Sequence, residues 1–253
     1  TLATSHPGGS LFGQQITFIA VVAPTTGGTP GMPNGTVVFR NGTQVLATRQ
    51  LVNGQAIFRT AALPAGTHNI TATYNGSGRF EGSDDGFNQD VDPANPTITF
   101  PSNPALCAIN RATLFITNLR SAPGRVPTGT VTFTVDEPNG GQVVLGPVAV
   151  VSGRAVSPLY SFPDGTGSYT VTVNYTPANS NFTTAVETRT ETVLNFTRVA
   201  LTSTSTSTGA NLRARIVTAA GAGVPTGVVD FYEVVNGVRV FLGQAAVNSN
   251  GVA

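Results

Sequence analysis

Pro33-Asn34-Gly35-Thr36-Val37-Val38-Phe39 recurs as Pro127-Thr128-Gly129-Thr130-Val131-Thr132-Phe133 and again as Pro225-Thr226-Gly227-Val228-Val229-Asp230-Phe231. The shared pattern is Pro-x-Gly-x-Val-x-Phe, and the copies start 94 and 98 residues apart. Proline fixes φ and lacks an N–H, so it belongs where a strand begins. Glycine permits the turn into that strand. Val and Phe two positions apart share one face of a strand, and the residues between them point the other way. Each copy therefore predicts a half-buried strand that drives Val-x-Phe into a core. Three copies at domain-sized spacing predict duplication.

The spacing sets the organisation of the 253 residues. It predicts units at 1–92, 93–194 and 195–253. Gly (29) and Pro (17) are frequent and only 10% of residues are charged, a profile of short strands joined by turns. Within the first unit, strands are expected at Thr1–Thr4, Gln15–Val22, the phrase, Thr43–Leu51, Gln55–Ala61, His68–Tyr74 and near Phe87–Val91. Asn41-Gly42 marks a hairpin turn, Asn53-Gly54 marks a second turn, and Thr25–Pro33 reads as a loop. Seven strands with frequent turns predict an all-β fold of tandem immunoglobulin-like β-sandwiches, two complete and a third incomplete.

The second unit repeats the order. Thr97–Phe100 opens it, and Ala112–Thr117 is its expected second strand. Tyr169, Val171, Val173 and Tyr175 line one face of a strand matching His68–Tyr74. In the third unit Asn250-Gly251-Val252-Ala253 aligns with Asn53-Gly54-Gln55-Ala56 and Ser152-Gly153-Arg154-Ala155. The third unit is thus expected to lack its last strands, about 40 residues by the repeat length. Either this is a piece of a longer repeat chain, the preferred reading, or a neighbouring molecule supplies the strands.

Several residues of the first unit carry a resemblance. Gly13-Gln14-x-Ile16-Thr17-Phe18 is followed by Gly35-Thr36-Val37-x-Phe39 and Asn53-Gly54-x-Ala56-x-Phe58. Leu63-Pro64-Ala65-Gly66-Thr67-His68-x-Ile70-Thr71-Ala72-x-Tyr74 and Phe80-x-Gly82-Ser83 complete the set. This run resembles the bacterial immunoglobulin-like domains found in tandem in exported surface proteins. The second unit is similar more loosely, with Asn110-Arg111-Ala112-Thr113-Leu114 near the place of the Gly-Gln stretch. The resemblance implies spacers, stalks, adhesin shafts, filament modules or accessory modules of enzymes, and it implies no catalytic residues.

Side-chain chemistry points the same way. A Ser/His/Asp triad would need His6 or His68. His6 lies in a Pro/Gly turn and His68 shares a face with Ile70. Cys107 is the single cysteine and reads as a small apolar side chain, so no intrachain disulfide is expected. All 13 basic residues are Arg, which excludes a Lys–Asn isopeptide crosslink. The +1 net charge has no basic cluster to suit nucleic acid. The weak calcium candidate is Asp84, Asp85, Asp90 and Asp92 with Asn95, at the first unit boundary. No catalytic, cofactor or metal residue is assigned on sequence grounds.

The expected function is mechanical: a non-catalytic structural module at the cell surface, with copies of itself or other surface proteins as partners and no membrane span. Stiff Pro-containing linkers would set angles between units, and Thr-rich outer faces would keep exposed strands soluble. The alternative is a ligand- or carbohydrate-binding accessory region, for which Tyr160 and Tyr232 are the candidate exposed aromatics. Seven Asn-x-Ser/Thr sequons, at Asn34, Asn41, Asn69, Asn75, Asn174, Asn181 and Asn195, are expected to be unmodified in a bacterial product.

Overall fold

A computed structural model describes residues 1–24, 31–101, 106–109, 111–218 and 223–253. Part of the expected Thr25–Pro33 loop, and Asn110 of the second unit's resemblance, lie outside them. The described residues form strands and turns. Among them, no helix is long and apolar enough to cross a membrane.

The first sandwich contains β1 (Leu2–Thr4), β2 (Ser10–Leu11), β3 (Ile16–Val21), β4 (Thr36–Asn41), β5 (Gln44–Gln50), β6 (Gln55–Thr60), β7 (Gly66–Tyr74) and β8 (Ser83–Asp92). One sheet has the order β1-β3-β6 and the other β2-β8-β7-β4-β5. The strands alternate as the sequence predicts. Ile16, Phe18 and Ala20 meet Ala56 and Phe58 from one sheet and Val37, Phe39, Ile70, Ala72 and Tyr74 from the other. Phe18 stacks on Phe58 at 6.0 Å and Phe39 tilts against it at 5.7 Å, a spacing typical of aromatic pairs in cores.

Two features differ from the expectation. The opening strand is divided: β1 pairs antiparallel with β3, while β2 crosses to the other sheet and pairs in parallel with β8. The sandwich therefore has eight strands, not seven. Pro7 and Gly9 (φ 101°) stand in the break and let the chain change sheets. Strand β8 also starts at Ser83, four residues earlier than expected, because the whole of β7 finds a partner down to Tyr74↔Ser83. Its first residues are polar and exposed, so no hydrophobic alternation announces them.

The second sandwich holds β9 (Pro96–Thr99), β10 (Leu106–Ala108), β11 (Ala112–Thr113), β12 (Ile116–Ser121), β13 (Gly129–Asp136), β14 (Gln142–Ala149), β15 (Arg154–Val156), β16 (Tyr160–Ser161), β17 (Gly167–Pro177) and β18 (Ala185–Leu194). Its sheets are β15-β12-β9 and β10-β18-β17-β13-β14, with β11 and β16 as a separate pair. The opening strand is divided here too: β9 pairs with β12 and β10 runs parallel to β18. The expected second strand at Ala112–Thr117 is corrected. The counterpart of β3 is β12, and its inward residues are Thr117, Leu119 and Ser121. Two of those three are polar, which hides the alternation.

The recurring phrase has one backbone conformation. Gly35, Gly129 and Gly227 take φ of 100°, 143° and 121°, a region costly to side chains. At Gly129 a Cβ would collide with the carbonyl of Thr176. Turns repeat as well. Asn53-Gly54 and Ser152-Gly153, at matching places in the two sandwiches, each have two successive positive φ values, as in a type I′ turn. In the third unit Asn236-Gly237 has them too, at the place of Asn41-Gly42, where only the glycine is positive.

The third group of strands is two hairpins: β19 (Thr197–Thr206) with β20 (Gly209–Thr218), and β21 (Val228–Val235) with β22 (Val238–Ala246). The closing residues lie along β20, where Ala214 exchanges backbone hydrogen bonds with Ala253, both 2.9 Å. Here the opening strand is not divided, and β19 runs ten residues beside β20. Among the described residues no strand matches β8, so a sheet-switching segment would have nothing to pair with.

Candidate functional site

Residues far apart in the chain meet between the first two sandwiches. Phe12, in the turn from β2 to β3, packs against both cores. Its ring meets that of Phe182 edge to face at 5.4 Å. The Arg125 guanidinium sits over the Phe12 ring, 5.6 Å from its centre, and donates a hydrogen bond to the Ala61 carbonyl. Gly13 (φ 87°) gives Arg125 room, because a Cβ there would overlap its side chain.

The segment joining the sandwiches is docked. Ala94 is fully buried and forms a parallel bridge with Phe182. Its N–H donates to the Asn181 carbonyl at 2.9 Å, and its own carbonyl accepts from the Thr183 N–H at 3.1 Å. The Thr183 hydroxyl donates to Asn95 Oδ1 at 2.9 Å. Asn181 Oδ1 accepts from the Ala65 N–H at 2.8 Å, tying the β6–β7 turn of the first sandwich to the second. Each hydrogen bond contributes about 1 kcal/mol net, and the ring pair about 0.5–1.5 kcal/mol. Together they exceed thermal energy several times over. At the next junction Arg111 lies over Phe196, 5.8 Å from its centre, but Phe196 is half exposed.

The acidic candidates are not gathered. Asp84, Asp85, Asp90 and Asp92 are strung along β8, so the outermost pair is about 26 Å apart at about 3.3 Å per residue. Asp85 accepts from the Leu2 and Gly86 N–H groups, both 2.8 Å. Those hydrogen bonds, that from Leu2 foremost, hold its carboxyl below the ordinary carboxylate value. Asp90 accepts from the Thr67 hydroxyl. Among the described residues no three His, Cys, Asp or Glu are grouped to hold a metal ion.

Neither histidine is placed for general-base work. His68 is buried, with Nε2 2.7 Å from the Pro64 carbonyl and Nδ1 2.9 Å from Asn41 Nδ2. Both ring nitrogens are therefore engaged in holding the fold. His6 lies between Ser5 Oγ at 2.7 Å and Gln14 Nε2 at 2.8 Å. An amide, not a carboxylate, occupies the place that would orient a catalytic imidazole. Cys107 is half-buried with Sγ 3.8 Å from Glu191 Oε2. Burial, with the Glu191 charge beside it, pushes its thiol up to about 11, which suppresses the nucleophilic thiolate at neutral pH.

Glu191 is fully buried and paired with Arg189. The guanidinium of Arg189 lies 4.3 Å from the centre of the Phe100 ring. Burial raises the Glu191 carboxyl above its ordinary value, against the pull of Arg189. Tyr160 is not the exposed aromatic expected. It is buried among Phe115 and Phe162, and its hydroxyl donates to Glu137 Oε1 at 2.6 Å. Tyr232 is exposed and lies edge to face with Phe241 at 5.5 Å.

Residues 3–92, which span the first sandwich, match the family of bacterial Ig-like domains (group 3). No curated protein matches the chain. Among solved structures, domains 4 and 5 of the S-layer protein SbsC are 15% identical over 76% of this chain and 96% of theirs, with a TM-score of 0.33. Domains 4–9 of SbsC are 14% identical over 98% of this chain and 43% of theirs, at 0.34. The fibronectin(III)-like modules of Clostridium thermocellum CbhA are 16% identical over 76% of this chain and 93% of theirs, at 0.28.

Proposed function

We propose that the chain is a non-catalytic spacing segment of an exported bacterial surface protein, built of units at 1–92, 93–194 and 195–253. The observation that carries this reading is the joint, in which Phe12, Phe182, Arg125 and Asn181 fix one sandwich on the next. A row of domains transmits direction only if its joints resist bending. The family match of the first sandwich supports the same reading, because such domains occur in tandem in surface proteins. Spin labels at Thr43→Cys and Asn139→Cys, in a chain with Cys107→Ala, test it by pulsed dipolar distance measurement. A narrow distance distribution that broadens in Phe12→Ala is expected. A broad distribution in the parent chain would refute a fixed joint.

The exposed Tyr232–Phe241 pair supports a second reading, an accessory region that stacks a sugar ring. A glycan array answers it: retention abolished by Tyr232→Ala supports it, and no retention removes it.

A further inference from the structure

Among the described residues of the first sandwich, the buried polar side chains are Ser10, His68 and Gln89. All three lie at the end that meets the second sandwich. Ser10 stands two residues before Phe12, and His68 lies opposite Gln89 in the β7–β8 register. His6, half-buried in the crossing from β1 to β2, belongs to the same group. Gln89 Nε2 donates to the His6 carbonyl at 3.1 Å, and Thr4 Oγ1 accepts from the His6 N–H at 3.3 Å.

The His6 ring clasps the turn that presents Phe12. Across Leu11–Gln14 the Gln14 N–H donates to the Leu11 carbonyl at 2.9 Å. Gly13 takes φ 87°, as the third position of a type II turn requires. The Gln14 side chain folds back over this turn. Its Oε1 accepts from the Leu11 N–H at 3.0 Å, which leaves Nε2 facing His6 Nε2, 2.8 Å away. An amide nitrogen only donates. His6 Nε2 must therefore present a lone pair, and the ring proton sits on Nδ1, 2.7 Å from Ser5 Oγ. That oxygen has lone pairs for this bond and for the Thr17 N–H at 3.0 Å. The bonding pattern requires a neutral His6.

A second ring proton would meet the Gln14 amide donor to donor. Turning the amide offers His6 an oxygen but takes it from the Leu11 N–H. Moving the side chain away opens the turn. The His6 backbone, held by Thr4 and Gln89, does not yield. His68 is under no such constraint. Its Nε2 donates to the Pro64 carbonyl and its Nδ1 accepts from Asn41 Nδ2. Asn41 Oδ1 accepts no hydrogen bond among the described residues, so that amide can turn to receive a proton. The charged and titratable groups on the elements around His6 are Asp90 and Asp92 of β8, His68 of β7, Arg59 of β6 and Arg125 across the joint. Asp90 accepts from Thr67, Asp92 lies beside Gly9, Arg59 stands opposite Thr17, and Arg125 is held by Ala61 and Phe12. The partners of the imidazole are Ser5 and Gln14.

We propose that His6 is a pH-sensitive latch on the joint. Proton uptake at Nε2 breaks the Gln14 clasp, frees the turn that carries Phe12 and Gly13, and loosens one sandwich from the next. The inference rests on the fixed joint proposed above.

The spin-labelled chain carrying Thr43→Cys, Asn139→Cys and Cys107→Ala is measured at about pH 8 and about pH 5, the span over which histidines charge. The expected result is a narrow distance peak at the higher pH that is lost at the lower, with the first sandwich still folded by calorimetry. Two variants assign the loss. In Gln14→Glu one carboxylate oxygen keeps the Leu11 N–H and the other accepts from a protonated ring, so the peak stays narrow at both pH values. In His6→Gln the side chain no longer titrates, so the width is the same at both. A narrow peak at both values in the parent overturns the latch and leaves the fixed joint standing. A broad one at both refutes the joint and the latch with it. A pH response that persists in either folded variant, or melting of the first sandwich at the lower pH, also overturns the latch.

Discussion

The hydroxyl of Tyr175 donates to the carbonyl of Thr128 at 2.6 Å, and that of Tyr74 to Asn34 at 2.9 Å. Each bond fastens the end of one central strand to the turn that starts its neighbour. Burial pushes the Tyr175 hydroxyl up, so it stays protonated and donating across the physiological range. Replacing Tyr175 with Phe leaves the acceptor without this donor, at a cost of about 1–2 kcal/mol. For a domain of this size that lowers the melting temperature by about 4–16 °C. Calorimetry should show this in the second transition, and Tyr74→Phe should act on the first.

The three phrase glycines share positive φ but not surroundings, so alanine should rank them. At Gly129 the added Cβ strikes the Thr176 carbonyl, at Gly35 it comes within 3.4 Å of Ser77, and at Gly227 it meets nothing within 4 Å. Backbone strain of about 1–2 kcal/mol is common to all three. Gly129→Ala should destabilise most, Gly35→Ala less and Gly227→Ala least, as read by chemical denaturation of each variant. Equal losses would show that strain alone decides.

Gly13→Ala should loosen the joint. The new Cβ would displace Arg125 from the Phe12 ring and from the Ala61 carbonyl. The expected result is a broader distance distribution between labelled sandwiches, with the second sandwich's melting temperature changed by less than about 2 °C.

The Glu191 carboxyl gives the second sandwich a pH dependence of definite sign. Its proton is held more tightly folded than unfolded, because burial penalises the charged form. Stability from this group is therefore highest below its unfolded value and falls as pH rises through the raised folded value. Melting of the second sandwich followed upward from pH 4.5 should show this decline. Glu191→Gln should flatten it while losing the Arg189 ion pair. A slope unchanged in the variant would assign the pH dependence elsewhere.

The architecture was legible because the phrase, the Asn-Gly turns and the period-two strands agree at each level. Ala56, Phe58, Ile70, Ala72 and Tyr74 all face inward as their spacing requires. The joint was not legible. Phe12, Arg125 and Asn181 are ordinary residues far apart in sequence, and only the stacking of two sandwiches brings them together. The second unit's β12 carries no apolar alternation to announce it, because Thr117 and Ser121 face inward. Tyr160 was misplaced for a related reason: Glu137 accepts its hydroxyl, and a single strand pattern does not reveal that partner.

Ala94, zipped to Phe182, has a consequence for a chain under tension. An undocked connector of the three residues between β8 and β9, Pro93 to Asn95, could extend by up to about 10 Å before either sandwich felt a pull. With Ala94 fixed by backbone hydrogen bonds on both sides, that slack is already taken up. A tug on one sandwich reaches the other through a taut coupling from the first ångström.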